Sequence, residues 1–146
     1  LTTGTGRGPH PSSAEMLGGC QEVFERTLQY LRDREQFGVK IGTFQALQHR
    51  ASMMFCQLEQ SKSAVLNALS SLDKNSADSS IHASIAKTLI NDCYQQITNE
   101  AIQMHGGMGI TDELDIGLFL KRARISIQIL GDSDYHKNRY AELNGY

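Results

Sequence analysis

Apolar residues recur along this chain at three- and four-residue spacing, the period of helices that bury one face. The first stripe is Met16, Leu17, Cys20, Val23, Phe24, Leu28 and Leu31. Ser12 followed by Glu15 reads as a capping box, in which each side chain satisfies an orphan backbone N–H, so the helix is expected to start at Ser12. Residues Gly38 to Gly42 break the pattern, and Thr43 is the expected N-cap of a second helix. Phe44, Leu47, Ala51, Met54, Leu58, Val65, Leu69 and Leu72 would form its buried face. Running to Leu72, it would be about 43 Å long at ~1.5 Å per residue.

Asp73 to Ser80 is polar and reads as a loop. A third helix carries Ile85, Ala86, Leu89, Ile90, Cys93, Ile97, Ala101 and Met104, and is expected to end at His105-Gly106-Gly107, where glycine tolerates a left-handed backbone. Thr111 would start a fourth, with Asp112 and Glu113 near the positive end of its dipole. Its apolar side is read as Leu114, Leu118, Leu120, Ile125 and Ile129. Gly131 interrupts that helix, and a last segment runs from about Ser133 to Leu143.

No window alternates with period two for long, and the only two prolines are read as preceding the first helix. The expected fold is all-α: an antiparallel four-helix bundle with a short extra C-terminal helix. Residues 1–11, rich in Thr and Gly, read as a disordered leader or linker remnant, and residues 12–146 as the bundle.

Bulk properties narrow the function classes. The 146 residues suffice for one core, and 40% apolar with 21% charged residues is ordinary for a globular chain. A net charge of −2 gives no general attraction to nucleic acid or an anionic membrane. No apolar run approaches the roughly 18 residues needed to span a bilayer. Cys20, Cys56 and Cys93 are odd in number, far apart and within helical patterns, so buried free thiols and a reducing, cytoplasmic compartment are expected.

General catalytic patterns are weak. Gly4-Thr5-Gly6-Arg7-Gly8 lacks the strand and the Lys-Ser/Thr of a phosphate loop. Asp73-Lys74-Asn75 lacks the glycine and the closing Glu of a calcium loop. Asp132, Asp134 and His136 alternate like metal ligands but read better as a turn and helix start, so no metal site is assigned.

Three longer stretches say more. They are Tyr30-Leu31-Arg32-Asp33-Arg34-Glu35-Gln36-Phe37-Gly38 continued by Ile41 to His49, then Gln103-Met104-His105-Gly106-Gly107-Met108-Gly109-Ile110-Thr111, then Arg122-Ala123-Arg124-Ile125. In order and spacing, from Ser12 to Leu143, the chain resembles the C-terminal helical domain of the acyl-CoA dehydrogenase flavoproteins.

That resemblance implies FAD, an acyl-CoA substrate for the complete enzyme, and homo- or hetero-oligomers built through the bundle. It implies that Arg34 reaches the FAD pyrophosphate, a role suited to a guanidinium fork. Phe37 would pack on the adenine end. Gln45, and Gln103 with Gly106 and Gly107, would bind the ADP half across a subunit interface. Asp132 and Asp134 would fall at positions that contact the flavin.

The chain departs from the family at the base. Aligning Ala123-Arg124-Ile125 places Leu130 where many members carry the Glu that removes the α proton, and leucine cannot accept a proton. The base could lie near Gly8 to Pro11, where no carboxylate occurs, with Glu15 the nearest acid. Asp132 could act instead, or the chain could be the base-lacking subunit of a heteromer, the preferred reading. An isolated chain is then expected to be inactive. The alternative from another class is a non-catalytic helical oligomerisation module.

Overall fold

The computed structural model describes residues 9–106 and 115–146. Its elements are α1 (Pro9–Asp33), β1 (Glu35–Gln36), β2 (Val39–Lys40), a 3-10 turn (Ile41–Thr43), α2 (Gln45–Asp73), α3 (Ser79–His105), α4 (Ile116–Gln128) and α5 (Ser133–Leu143). The all-α bundle expected from the periodicity is present. The 29 residues of α2 match the long helix read from the sequence.

Side-chain bonds fix the helix directions. On α2 and α3, Arg50 meets Glu100, Gln57 meets Gln96 and Ser71 meets His82, so the two run antiparallel. On α1 and α3, Met16 lies against Lys87 and Tyr30 against His105, so those two run parallel. Lys87 also reaches Ser126 of α4, and Ser84 of α3 reaches His136 and Arg139 of α5.

Helix α3 therefore touches all four other helices. The core follows: Met16, Cys20, Val23 and Leu31 of α1 meet Met54, Leu58 and Val65 of α2 around Ile90, Tyr94, Ile97 and Ala101 of α3.

Several local expectations need correction. Ser12 is not an N-cap, because α1 already includes Pro9 to Pro11. Prolines cost little in a first turn, whose N–H groups have no helical partner anyway. Thr43 does not cap α2 either: its hydroxyl donates to the Lys40 carbonyl at 2.7 Å, closing the 3-10 turn, and Phe44 takes the N-cap position without a side-chain bond. Phe44, read as buried, is exposed.

The break between α1 and α2 is a small antiparallel hairpin in which Glu35 pairs with Lys40 and Gln36 with Val39. Cys20 and Cys93 are buried free thiols as expected, but Cys56 is exposed on α2.

The largest correction concerns α4. It carries two apolar stripes of helical period, and the bundle buries the one containing Ile116, Ala123 and Ile127. Leu118, Ile125 and Ile129 face outward, and Leu120 is half-buried. Periodicity alone does not rank two stripes on one helix. The described part of α4 starts at Ile116 behind Asp115. Thr111, Asp112, Glu113 and Leu114 lie outside the described residues.

Candidate functional site

Two of the three distinctive motifs converge at one end of the bundle. Helix α1 ends at Asp33, and Arg34 continues its hydrogen bonding, with its N–H donating to the Tyr30 carbonyl at 2.9 Å. The Arg34 carbonyl accepts from Ile41 N–H at 2.9 Å, which closes the base of the hairpin. Its backbone is thus pinned from both sides. Its guanidinium is exposed and makes no hydrogen bond or ion pair among the described residues.

The hairpin turns through Phe37 and Gly38, both with positive φ (55° and 77°). Two such residues suit the twist of a two-residue hairpin loop, but a phenylalanine there costs roughly 1–2 kcal/mol. Phe37 recovers little of this by burial, being 90% exposed. Its ring only meets the edge of Phe44, with centroids 6.3 Å apart.

Beneath the loop, Lys40 pairs with Glu35 at 2.8 Å and donates to the Asp33 carbonyl at 3.1 Å, capping α1. The hydrogen bond from Lys40, with its charge, holds the Glu35 carboxyl below its ordinary range. Gln45, the first residue of α2, is exposed with no side-chain partner among the described residues.

The end of α3 meets this corner. The Tyr30 hydroxyl donates to the His105 carbonyl at 3.4 Å, and the two rings lie 4.1 Å apart. His105 Nδ1 donates to the Ala101 carbonyl at 2.7 Å, and burial lowers its pKa. Gly106 then stops the helix at φ 61° and ψ −141°, a conformation that favours glycine. Gly107 lies outside the described residues.

Gln103 is exposed, but its amide oxygen is held by Arg50 of α2. Arg50 also makes a two-pronged pair with Glu100, at 2.6 and 3.3 Å. The Gln103 amide nitrogen is left to donate outward.

The third group stands apart. Asp132 is the N-cap of α5 and accepts from Tyr135 N–H at 2.9 Å. Asp134 is exposed in the first turn, 3.6 Å from Lys137. Ser133 donates to Asp92 at 2.6 Å, so this group sits beside Asp92 on α3. From there to His105 is about 20 Å along the helix at ~1.5 Å per residue. Within one chain, Arg34, Phe37, Gln45, Gln103 and Gly106 share a corner that Asp132 and Asp134 do not.

Leu130 lies on the α4–α5 bend near that second group, 48% exposed. Among the described residues no metal-binding cluster occurs, and no helix is long and apolar enough to cross a membrane.

Sequence reading overlooked a polar cluster in the core. Lys87, Asn91 and His136 are all buried, Lys87 completely. Desolvation lowers the Lys87 pKa to about 8. A signal was available: Lys87 and Asn91 both fall on the stripe that carries Ile90, Tyr94 and Ile97, where the helical period dictates burial.

A family model of the acyl-CoA dehydrogenase C-terminal domain matches residues 10–143. Acyl-CoA dehydrogenase IpdE2 of Mycolicibacterium smegmatis is 36% identical over 119 residues, which cover 82% of this chain and 36% of that protein. Acyl-CoA dehydrogenase FadE34 of Mycobacterium tuberculosis is 34% identical over 132 residues, covering 90% of this chain and 19% of that one. Among solved structures, PigA with FAD and proline superposes with a TM-score of 0.89 at 31% identity, covering 94% of this chain and 36% of that one. The chain spans at most 36% of the length of these proteins.

Proposed function

We propose that this chain, which belongs to the acyl-CoA dehydrogenase family as its C-terminal domain, is the FAD-binding and assembly domain of a flavoprotein that desaturates an acyl-CoA thioester. The observation that carries this reading is the corner at Arg34. Among the described residues it presents an unpaired guanidinium, an exposed strained aromatic and an unpaired amide.

Those residue types fit a dinucleotide. Arg34 would grip its pyrophosphate with parallel N–H donors, Phe37 would stack on its adenine, and Gln45 and the Gln103 amide nitrogen would donate to the same half. Gly106 would let the backbone approach closely. When bound, the flavin supplies hydride acceptance from the β carbon of the thioester. Asp132 and Asp134, about 20 Å from this corner, would then serve a second cofactor, so each subunit completes its partner's site.

The outward stripe of Leu118, Ile125 and Ile129 supports assembly with a second polypeptide. The base is the other half of the reading. Leu130 has no ionisable group, and Asp132, two residues further on, is already used as the α5 cap. This supports a subunit that relies on a partner for proton abstraction.

The test uses the complete protein. It should purify yellow, and Arg34→Ala and Phe37→Ala should each lower flavin retention at least tenfold while leaving the bundle folded. A colourless protein, or variants that hold flavin as well as the parent, would leave only a helical oligomerisation module.

A further inference from the structure

Two consecutive residues of positive φ, Leu130 (61°) and Gly131 (101°), join α4 to α5. A helix end leaves its last carbonyls without helical partners, and a bend adds more. Here each of three such carbonyls receives a buried side-chain donor. Lys87 Nζ donates to Ser126 O at 3.1 Å, Asn91 Nδ2 to Gly131 O at 3.3 Å, and His136 Nε2 to Leu130 O at 2.8 Å.

The donors are themselves linked. Lys87 Nζ also donates to Asn91 Oδ1 at 2.7 Å, while the Ser84 hydroxyl meets His136 Nδ1 at 3.4 Å and accepts from Arg139 at 3.1 Å. Among the described residues, no salt bridge joins a carboxylate to the Lys87 ammonium. Its bonds go instead to the carbonyl end of α4, to Asn91 and to the Met16 sulfur, and positive charge suits a helix C-terminus.

An apolar side chain of similar length would fill the same space without the desolvation penalty of a buried charge, so core packing does not account for Lys87. What the ammonium adds is a donor where a carbonyl needs one. A Cβ on Gly131 would also collide with Tyr135, so the bend is held from the α5 side as well. On this fixed backbone the side chain at 130 is half exposed, beside the equally exposed Ile129.

We propose that Lys87, Asn91 and His136 are positioning residues that lock the α4–α5 bend and so fix the direction in which side chain 130 leaves the bundle. Only the identity of what that side chain faces, a thioester pocket, rests on the flavoenzyme reading above. The lock itself is a property of this chain.

A nitroxide label reads it directly in the full protein. One sample carries Leu130→Cys in a Cys56→Ser background, and a second is labelled at native Cys56, which is exposed on α2 while Cys20 and Cys93 are buried. With the network intact, the label at 130 should give a restricted line shape. Lys87→Met and Asn91→Asp should each raise its mobile fraction at least threefold and leave the label at 56 unchanged.

Asn91→Asp keeps an oxygen for the ammonium, now as a carboxylate, and replaces the donor to the Gly131 carbonyl with an acceptor that repels it, so it decides the matter even if Lys87→Met does not fold. An unaltered line shape at 130, or equal loosening at 130 and 56, overturns the proposal. Flavin content measured on the parent bears separately on what position 130 faces.

Discussion

The ring of Tyr30 lies 4.1 Å from that of His105, and its hydroxyl donates to the carbonyl of the same histidine. This contact joins the last turn of α1 to the last turn of α3. It therefore sets the spacing between the Arg34 hairpin and the Gly106 stop. Tyr30→Phe keeps the ring and loses one long hydrogen bond, so urea unfolding should register about 1 kcal/mol or less. Tyr30→Ala removes a half-buried ring and should cost about 2 kcal/mol or more. It should also weaken flavin retention in the complete protein, because both halves of the corner lose their common support.

Burial lowers the pKa of His105 and of His136 below the ordinary 6.5, against smaller opposing contributions from the Ala101 and Leu130 carbonyls. As pH falls below about 6.5, the unfolded chain takes up protons that the folded chain refuses, so stability declines. Thermal unfolding followed from pH 7.5 to 5 should show this decline. A His105→Phe variant should show a shallower one than the parent.

Lys87 gives the opposite end of the pH scale. The folded chain releases its proton near pH 8, whereas the unfolded chain holds it to about 10.5. Between those values the unfolded state binds more protons, so this group makes stability rise with pH. Denaturation midpoints of the parent should accordingly gain on those of Lys87→Met between pH 8 and 10. A constant difference would mean that the folded amine keeps its proton to about pH 10.5, so that burial does not lower its pKa.

Gly19 faces Tyr94 across the α1–α3 contact. A Cβ built on it would lie 2.5 Å from the Tyr94 hydroxyl, which is buried and has no hydrogen-bond partner among the described residues. Gly19→Ala should therefore cost about 1–3 kcal/mol by forcing α1 outward, despite alanine's better helix propensity. Tyr94→Phe removes the orphan hydroxyl, the nearest clashing atom, but leaves the ring Cζ at 2.8 Å, so it should restore only part of that loss in a double-mutant cycle.

The three thiols should separate by rate. Burial raises the Cys20 pKa, and Cys20 and Cys93 both lie inside the core. A thiol reagent should modify Cys56 in the native protein within minutes. The other two should react only on unfolding, and mass spectrometry after trypsin digestion would locate each adduct.

Much of this was legible beforehand because helical burial is written in local spacing. The stripes on α1, α2 and α3 named most of their core residues, with Phe44 and Leu89 exposed instead, Gly106 stopped α3, and α5 begins at Ser133 behind Asp132. The candidate corner was legible only through resemblance. Nothing in the spacing of Arg34, Phe37 or Gln45 distinguishes an exposed, unpaired group from an ordinary surface one.

Errors came where two local patterns competed. Ser12 and Thr43 both have the chemistry of a cap, but a proline-tolerant first turn moved one helix start upstream, and a 3-10 turn consumed the other hydroxyl. Leu118, Ile125 and Ile129 form a valid stripe that lost to a second one on the same helix.

The linear order of residues by itself determined how many helices form, roughly where they begin and end, and which side most of them bury, since each depends on neighbours three or four positions away. Tertiary structure alone decided which stripe of α4 turns inward, and why a lysine is tolerated in the core. It also decided which motif residues share a corner and which stand about 20 Å off. Those outcomes depend on partners supplied by distant segments, and no local pattern specifies the donor that will meet a given carbonyl.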